Sequence, residues 1–329
     1  MFGILDGGRH HADKTLVICG GNSNPELLRE IAALLNMEPI HVVCGRFPEG
    51  EIQVQICENI RGKDVFIVQS TSPPVNDNLM ELLILIDAAK RASADRVTAV
   101  LPFFGYARQD RKDKPRVPIT AKLVANLLST SGADRILTMD LHAGQIQGFF
   151  DIPVDHLYSI SIIADYLMKK KLTNLAVVSP DLGGIRMVRA YSKVLNSSLA
   201  IVDKRRENSS QTQVMNIIGD VDGKNMVIVD DLISTGSSLV EAAKALKKSG
   251  ALDIYASVVH PILADPAVER ILNSDIKELI VTNSIPILPE KKISKITQLS
   301  VAPLLAEAIF RIHRNESVSS LFSKVGIEA

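Results

Sequence analysis

The chain has 329 residues, enough for two domains of ordinary size, and 46% are hydrophobic against 22% charged, so a substantial core forms and a disordered chain is excluded. Lys plus Arg and Asp plus Glu both number 37, so no net field draws a nucleic acid and any phosphate binding has to be local. Cys19, Cys44 and Cys57 have neither an even count nor a metal-like spacing, the opening MFGILDGGRHHAD holds no long apolar stretch, and the most apolar run, LMELLILIDAA, carries Glu81 and Asp87; the expectation is a reduced, cytoplasmic protein that does not span a membrane.

In chain order, short apolar runs alternate with helical patterns. TLVICGG precedes the helical PELLREIAALLN. DVFIVQS precedes a helical stretch through MELLILIDAAKRASA, and RVTAVLP, RILTMDLH, NLAVVSPD and LAIVDKRR follow. NMVIVDD leads into SSLVEAAKALKKSG, where Gly250 stands at the expected helix stop, and IYASVVHP and ELIVTNS complete the series. Unbroken apolar runs of this length, each followed by polar or glycine-rich residues, predict parallel strands buried on both faces. The fold class is therefore α/β.

The segment starting at Asp64 and the one starting at Asn225 read alike: strand, polar loop, helix, basic end, strand, proline. This predicts two related α/β domains with a boundary near residues 150–165, taken as 14–158 and 159–322. Gln69 and Ser70 stand where the second copy has Asp230 and Asp231, so a sugar site is expected in the C-terminal half.

The strongest local motif is MVIVDDLISTGSSLVEAA. An apolar strand delivers Asp230 and Asp231 to the C-terminal edge of a sheet, where open α/β sheets bind ligands. Ser234, Thr235, Gly236, Ser237 and Ser238 then form a tight loop before a helix. Amides at a helix start, with hydroxyls beside them, cradle a phosphate, and glycine allows close approach. Two carboxylates beside the cradle accept hydrogen bonds from vicinal sugar hydroxyls, so together they describe a ribose phosphate. A plain serine cap is the alternative.

Asp203-Lys204-Arg205-Arg206, followed by ENSSQTQ, suits a mobile loop that stabilises charge on a polyphosphate, and suits a solvated charge run equally well. FFGYARQDRKDKPR crowds Arg108, Arg111 and Lys112 beside Tyr106 and two phenylalanines, a composition for nucleotide phosphates and ring stacking, or for a surface loop with internal ion pairs. His142, close to Asp140, and Asp181 in SPDLGG stand at strand ends, where they could hold a divalent ion or serve the structure.

Together these motifs resemble the ribose-phosphate pyrophosphokinase family from about Thr15 to Phe322, most specifically in DLHAGQIQGFFDIPVD, with GYARQDRK, SPDLGG, VDKRR, QVMNIIG, PAVERI and QLSVAPLLAEAI in order. The resemblance implies two tandem phosphoribosyltransferase-like domains, each a mostly parallel sheet flanked by helices. It implies transfer of pyrophosphate from Mg-ATP to the C1 hydroxyl of ribose 5-phosphate. It assigns ATP contacts to Phe47, Glu49, Gly50 and Glu51, usually across a subunit interface, and to Arg108 and Gln109. Magnesium falls to His142 and Asp181, the catalytic cations are Lys204 and Arg206, and the ribose 5-phosphate site is Asp230, Asp231 and Ser234 to Ser238 with Arg206. A homohexamer is the implied assembly. The chain departs from the family pattern at Glu49, where aspartate is usual, at Ser234-Thr235-GSS, where the loop usually begins Asp-Thr, and after Arg206, where prolines are missing. Phosphate binding with altered affinity is expected from the second change.

Overall fold

Runs without polar alternation make strands that must be covered on both faces, and the predicted runs are all strands, covered in this way except in LAIVDKRR, where Leu199 is exposed. The computed structural model describes residues 15–205 and 214–323. In chain order the elements are β1 (Leu16–Gly20), α1 (Pro25–Leu34), β2 (Val42–Arg46), β3 (Ile52–Ile56), β4 (Asp64–Val68), α2 (Val75–Arg91), β5 (Arg96–Leu101), α3 (Thr120–Ser131), β6 (Arg135–Met139) and β7 (Val154–Leu157). They continue as α4 (Ile160–Lys169), β8 (Leu175–Ser179), α5 (Ile185–Leu195), β9 (Ser198–Arg205), β10 (Val214–Ile218), β11 (Asn225–Ile233), α6 (Ser237–Lys248), β12 (Ile254–Pro261), α7 (Ala267–Leu272), β13 (Ile276–Thr282), β14 (Ile296–Leu299), α8 (Ala302–His313) and α9 (Ser320–Ser323).

Two large sheets result. The first is wholly parallel, in the order β1-β4-β5-β6-β7, and β2 and β3 form a separate antiparallel hairpin. The second runs β10-β9-β8-β11-β12-β13-β14, parallel except for β10 against β9. Successive side chains of a strand serve opposite faces. In β4, Val65 and Ile67 pack towards α2 and α3, while Phe66 and Val68 pack towards α1. In β11, Met226 and Ile228 face α6, while Val227 and Val229 face α4 and α5.

The last long helix returns to the first sheet. Val301, Leu305, Ile309 and Ile312 are buried against Leu27, Ile31, Phe66 and Leu137. Burying each such side chain contributes about 1.5–3 kcal/mol. A polar clamp fixes the far end of α8: buried Asp64 takes Arg96 at 2.8 and 2.5 Å and His313 at 2.9 Å. Arg96 also donates to the Ile312 carbonyl at 2.9 Å.

The predicted loop at 203–206 is partly strand. β9 runs through Arg205 and pairs with β10, with Asp203 opposite Asn216 and Lys204 opposite Met215. Arg206 lies outside the described residues, as does the side chain of Lys204. Among the described residues no helix is long and apolar enough to cross a membrane.

Candidate active site at the seam between the sheets

The chain passes from β8 to β9 on one side and then returns to place β11 on the other side of β8. Strand order therefore reverses between β8 and β11, the position at which open α/β sheets bind ligands beyond their carboxyl ends. Asp181 follows β8, and Asp230 and Asp231 lie near the end of β11, so the topology puts all three at this crevice. Asp181 accepts the amides of Gly183 and Gly184 at 2.8 and 3.3 Å, which caps the turn into α5.

The loop after β11 settles the alternative of a serine cap. The residue that caps α6 is Gly236, left-handed at φ 75, and no side chain caps the helix. Among the described residues no side chain therefore caps the amides at this helix start, and the same loop carries the Thr235, Ser237 and Ser238 hydroxyls. That arrangement favours an anion, which the partial positive charge of a helix N-terminus attracts. Arg270 of α7 donates to the Thr235 carbonyl at 2.9 Å and to Ser237 Oγ at 2.5 Å.

His142, just beyond β6 of the first sheet, meets Asp231 of the second with Nδ1 2.5 Å from Oδ2. This hydrogen bond raises the imidazole above its ordinary value. Burial works to raise Asp231, but the hydrogen bond and charge of His142 outweigh it and hold the carboxyl low. Burial and then the charge of Asp231 push Asp230 well up. A carboxyl pushed up thus sits beside one that the imidazole holds low, which spares the crevice two adjacent unpaired charges.

Beside this pair opens a cavity of about 640 Å³, lined by Phe103, Tyr106, Arg108, Gln109, His142 and Asp231 among others. Its walls come from both sheets. Gln109 is fixed by Thr120 at 2.5 Å, and Tyr106 is bonded to Asn76. His260, at the end of β12, backs the cavity, edge-on to Phe103 at 5.0 Å between ring centres. The seam behind it is polar: His260 Nε2 meets the Asp140 carbonyl at 3.1 Å, and Ser70 Oγ donates to the Ser284 carbonyl at 2.6 Å.

The structure does not bring all the expected residues to one place. Phe47, Glu49 and Gly50 turn the β2–β3 hairpin, with Phe47 N donating to the Glu51 carbonyl at 2.8 Å, and none of these four lines the cavity. The hairpin leans on α2 through Arg46 and Asp77 at 2.8 Å. His142 is paired with Asp231 rather than with Asp181. Among the described residues no three His, Cys, Asp or Glu side chains converge on a metal position.

The comparisons with known proteins bear on this geometry. A family model described as the N-terminal domain of ribose phosphate pyrophosphokinase matches residues 16–132, and one described as the phosphoribosyl synthetase-associated domain matches residues 177–323. The ribose-phosphate pyrophosphokinase of Bacillus subtilis is 53% identical over 95% of this chain and 99% of its own length. That of Bacillus caldolyticus is 56% identical over 92% of this chain and 96% of its own. The crystal structure of phosphoribosylpyrophosphate synthetase from Mycobacterium smegmatis is similar with a TM-score of 0.88 at 42% identity, over 92% of this chain and 100% of that one.

The chain belongs to the ribose-phosphate pyrophosphokinase family.

Within that family's two phosphoribosyltransferase-like sheets, sequence reasoning missed His260 and Arg270. His260 had a signal, a basic group ending the otherwise apolar IYASVVHP. Arg270 had none beyond its place in PAVERI, because only the fold brings α7 beside the β11–α6 loop.

Proposed function

We propose that the chain binds ribose 5-phosphate at the β11–α6 loop and ATP in the adjoining cavity, and transfers pyrophosphate to the sugar. The C1 hydroxyl oxygen attacks the β-phosphorus, the bond from that phosphorus to the α-phosphate bridge breaks, the hydroxyl proton leaves to solvent, and AMP departs. The observation that carries this reading is the 2.5 Å contact of His142 with Asp231, which joins a nucleotide-sized cavity to an uncapped phosphate loop.

Asp230 and Asp231 accept the vicinal ribose hydroxyls, and the loop amides with Thr235, Ser237 and Ser238 hold the 5-phosphate. Arg108 and Gln109 take ATP, with the aromatic wall against its base. Lys204 and Arg206 close over the polyphosphate and stabilise the transition state. Positioning and neutralisation suffice, with no covalent intermediate.

The donor set fits Mg²⁺. Hard carboxylate oxygens and an imidazole stand at the crevice, and a magnesium ion keeps several waters and leans on substrate phosphates rather than on an all-protein cage. His142 and Asp181 would hold it. When bound, it supplies charge neutralisation on the phosphate oxygens.

Phe47, Glu49, Gly50 and Glu51 reach ATP only from a neighbouring copy, so the working form is a homo-oligomer, a hexamer by family resemblance. The domains are 14–158 and 159–322, with α8 crossing back, and the setting is the cytoplasm. The test is to mix the purified chain with Mg-ATP and ribose 5-phosphate and follow AMP. AMP release that depends on ribose 5-phosphate is expected. Turnover only when phosphoribosyl pyrophosphate and a base are supplied instead would indicate a phosphoribosyltransferase, and no turnover in either mixture a non-catalytic relative.

A further inference from the structure

Arg270 makes two side-chain hydrogen bonds, both to the loop that the proposed function gives to the 5-phosphate. Nη1 lies 2.9 Å from the Thr235 carbonyl and 2.5 Å from Ser237 Oγ. A guanidinium has donors and no acceptor. Ser237 Oγ must therefore accept, and its own proton is turned away from Arg270, on the side where the exposed Thr235 Oγ1 lies 3.5 Å away at the limit of hydrogen-bond reach. The Thr235 carbonyl is likewise committed, which keeps a negative dipole from swinging towards an anion.

The helix that carries Arg270 also backs the loop. Gly236 is buried, and a Cβ built on it would stand 3.6 Å from Ala267 Cα at the start of α7. At φ 75 Gly236 holds a conformation that L side chains rarely adopt, and no other side chain caps α6. The loop's shape thus depends on α7 from outside.

We propose that Arg270 is a positioning residue of the phosphate loop, which fixes the Thr235 carbonyl outwards and presents the Ser237 hydroxyl proton to the phosphate of the sugar. This rests on the reading of that loop as the ribose 5-phosphate site. Arg270 acts through Ser237, so its loss and the loss of the Ser237 hydroxyl remove one shared effect. Contacting residues coupled in this way give non-additive changes. A hydrogen bond to a charged group is worth about a tenfold to hundredfold change in affinity.

The experiment is calorimetric titration of ribose 5-phosphate, and separately of ATP, into the full-length protein, Arg270→Ala, Arg270→Lys, Ser237→Ala and the Arg270→Ala/Ser237→Ala double variant, each checked for a cooperative thermal transition. Arg270→Ala is expected to weaken ribose 5-phosphate binding by about tenfold or more, with ATP affinity within about twofold of the parent. Arg270→Lys should recover part of the loss, and it serves as the probe if the alanine variant does not fold. The double variant should bind no more than about twofold worse than the weaker single variant. Unchanged ribose 5-phosphate affinity in Arg270→Ala and Arg270→Lys, equal losses for both ligands, or fully multiplicative losses would overturn the proposal. Failure of the unaltered protein to bind ribose 5-phosphate would instead overturn the underlying site reading and this inference with it.

Discussion

Lowering the pH from 7 to 5 should act on the folded chain through buried groups that pull in opposite directions. His156 Nε2 accepts the Leu141 amide at 2.9 Å, so its hydrogen is on Nδ1, which is buried without a partner. His260 Nε2 meets the Asp140 carbonyl at 3.1 Å and must carry its hydrogen there, while Nδ1 meets Ser284 Oγ at 2.9 Å. Both rings are neutral, and burial pushes both down to about 4. An unfolded histidine takes up its proton near pH 6.5, with the value for the free side chain about that. Between there and the folded values the unfolded chain binds more protons, so stability falls as the pH falls. Linkage puts the loss at about 2 kcal/mol per histidine at pH 5. Asp140 works in the other direction. Burial pushes its carboxyl up to about 7, so the folded chain takes the proton first. That returns about 2 kcal/mol over the same window. Asp230, pushed up to about 8 by burial and the charge of Asp231, returns about 2 kcal/mol more. Losses and gains therefore nearly cancel in the parent, and urea unfolding of variants at both pH values separates them. Relative to the parent, His156→Phe should shift the pH 5 minus pH 7 difference by about 2 kcal/mol in favour of pH 5, whatever it does to absolute stability, and Asp140→Asn by about 2 kcal/mol against it. If the two variants keep the slope of the parent, the assignment of neutral rings and a raised acid is wrong.

Arg96→Ala leaves the fully buried Asp64 with only His313 and should cost about 3–5 kcal/mol, read as a lowered denaturation midpoint. His142→Ala removes the bond to Asp231 and should lower turnover about tenfold to hundredfold in the AMP assay; a rate within a factor of about two would sink the role given to that pair. Lys204→Ala should lower turnover by about 10²-fold or more while ATP binding stays measurable, and near-normal turnover would refute a transition-state role.

Much of the fold was legible because the sheet interiors tolerate little but aliphatic side chains. β4, β5, β6, β8, β11 and β12 were visible as unbroken apolar runs for that reason. The β2–β3 hairpin was not, because its strands are half exposed and alternate with polar residues that no core demands. β9 was legible only to Val202, because the charges of Asp203, Lys204 and Arg205 read as a loop, while pairing with β10 carries the strand on to Arg205. The return of α8 to the first sheet was invisible too. QLSVAPLLAEAI was legible only as part of the family resemblance, and nothing in its composition says which of two aliphatic sheets the helix it forms covers. At the site, the two aspartates and the glycine loop were legible from type and spacing, whereas the meeting of His142 with Asp231 requires both sheets in place.

The two halves also show why one copy of a shared motif serves the scaffold and the other faces the crevice. In the first copy Gln69 is buried, accepting from Ser23 at 2.8 Å and donating to Glu81 at 2.8 Å, and Ser70 is spent on Ser284. Glu81 in turn takes the Asn22 amide at 2.6 Å, so the whole polar capacity at that strand end is consumed by protein. In the second copy the same positions carry Asp230 and Asp231, and His142 reaches Asp231 from across the seam. An amide and a hydroxyl satisfied internally cost little to bury, whereas two adjacent carboxylates need a partner, which His142 supplies to Asp231. The asymmetry between the copies is therefore chemical: one strand end is closed by protein, and the other presents two acids to the crevice.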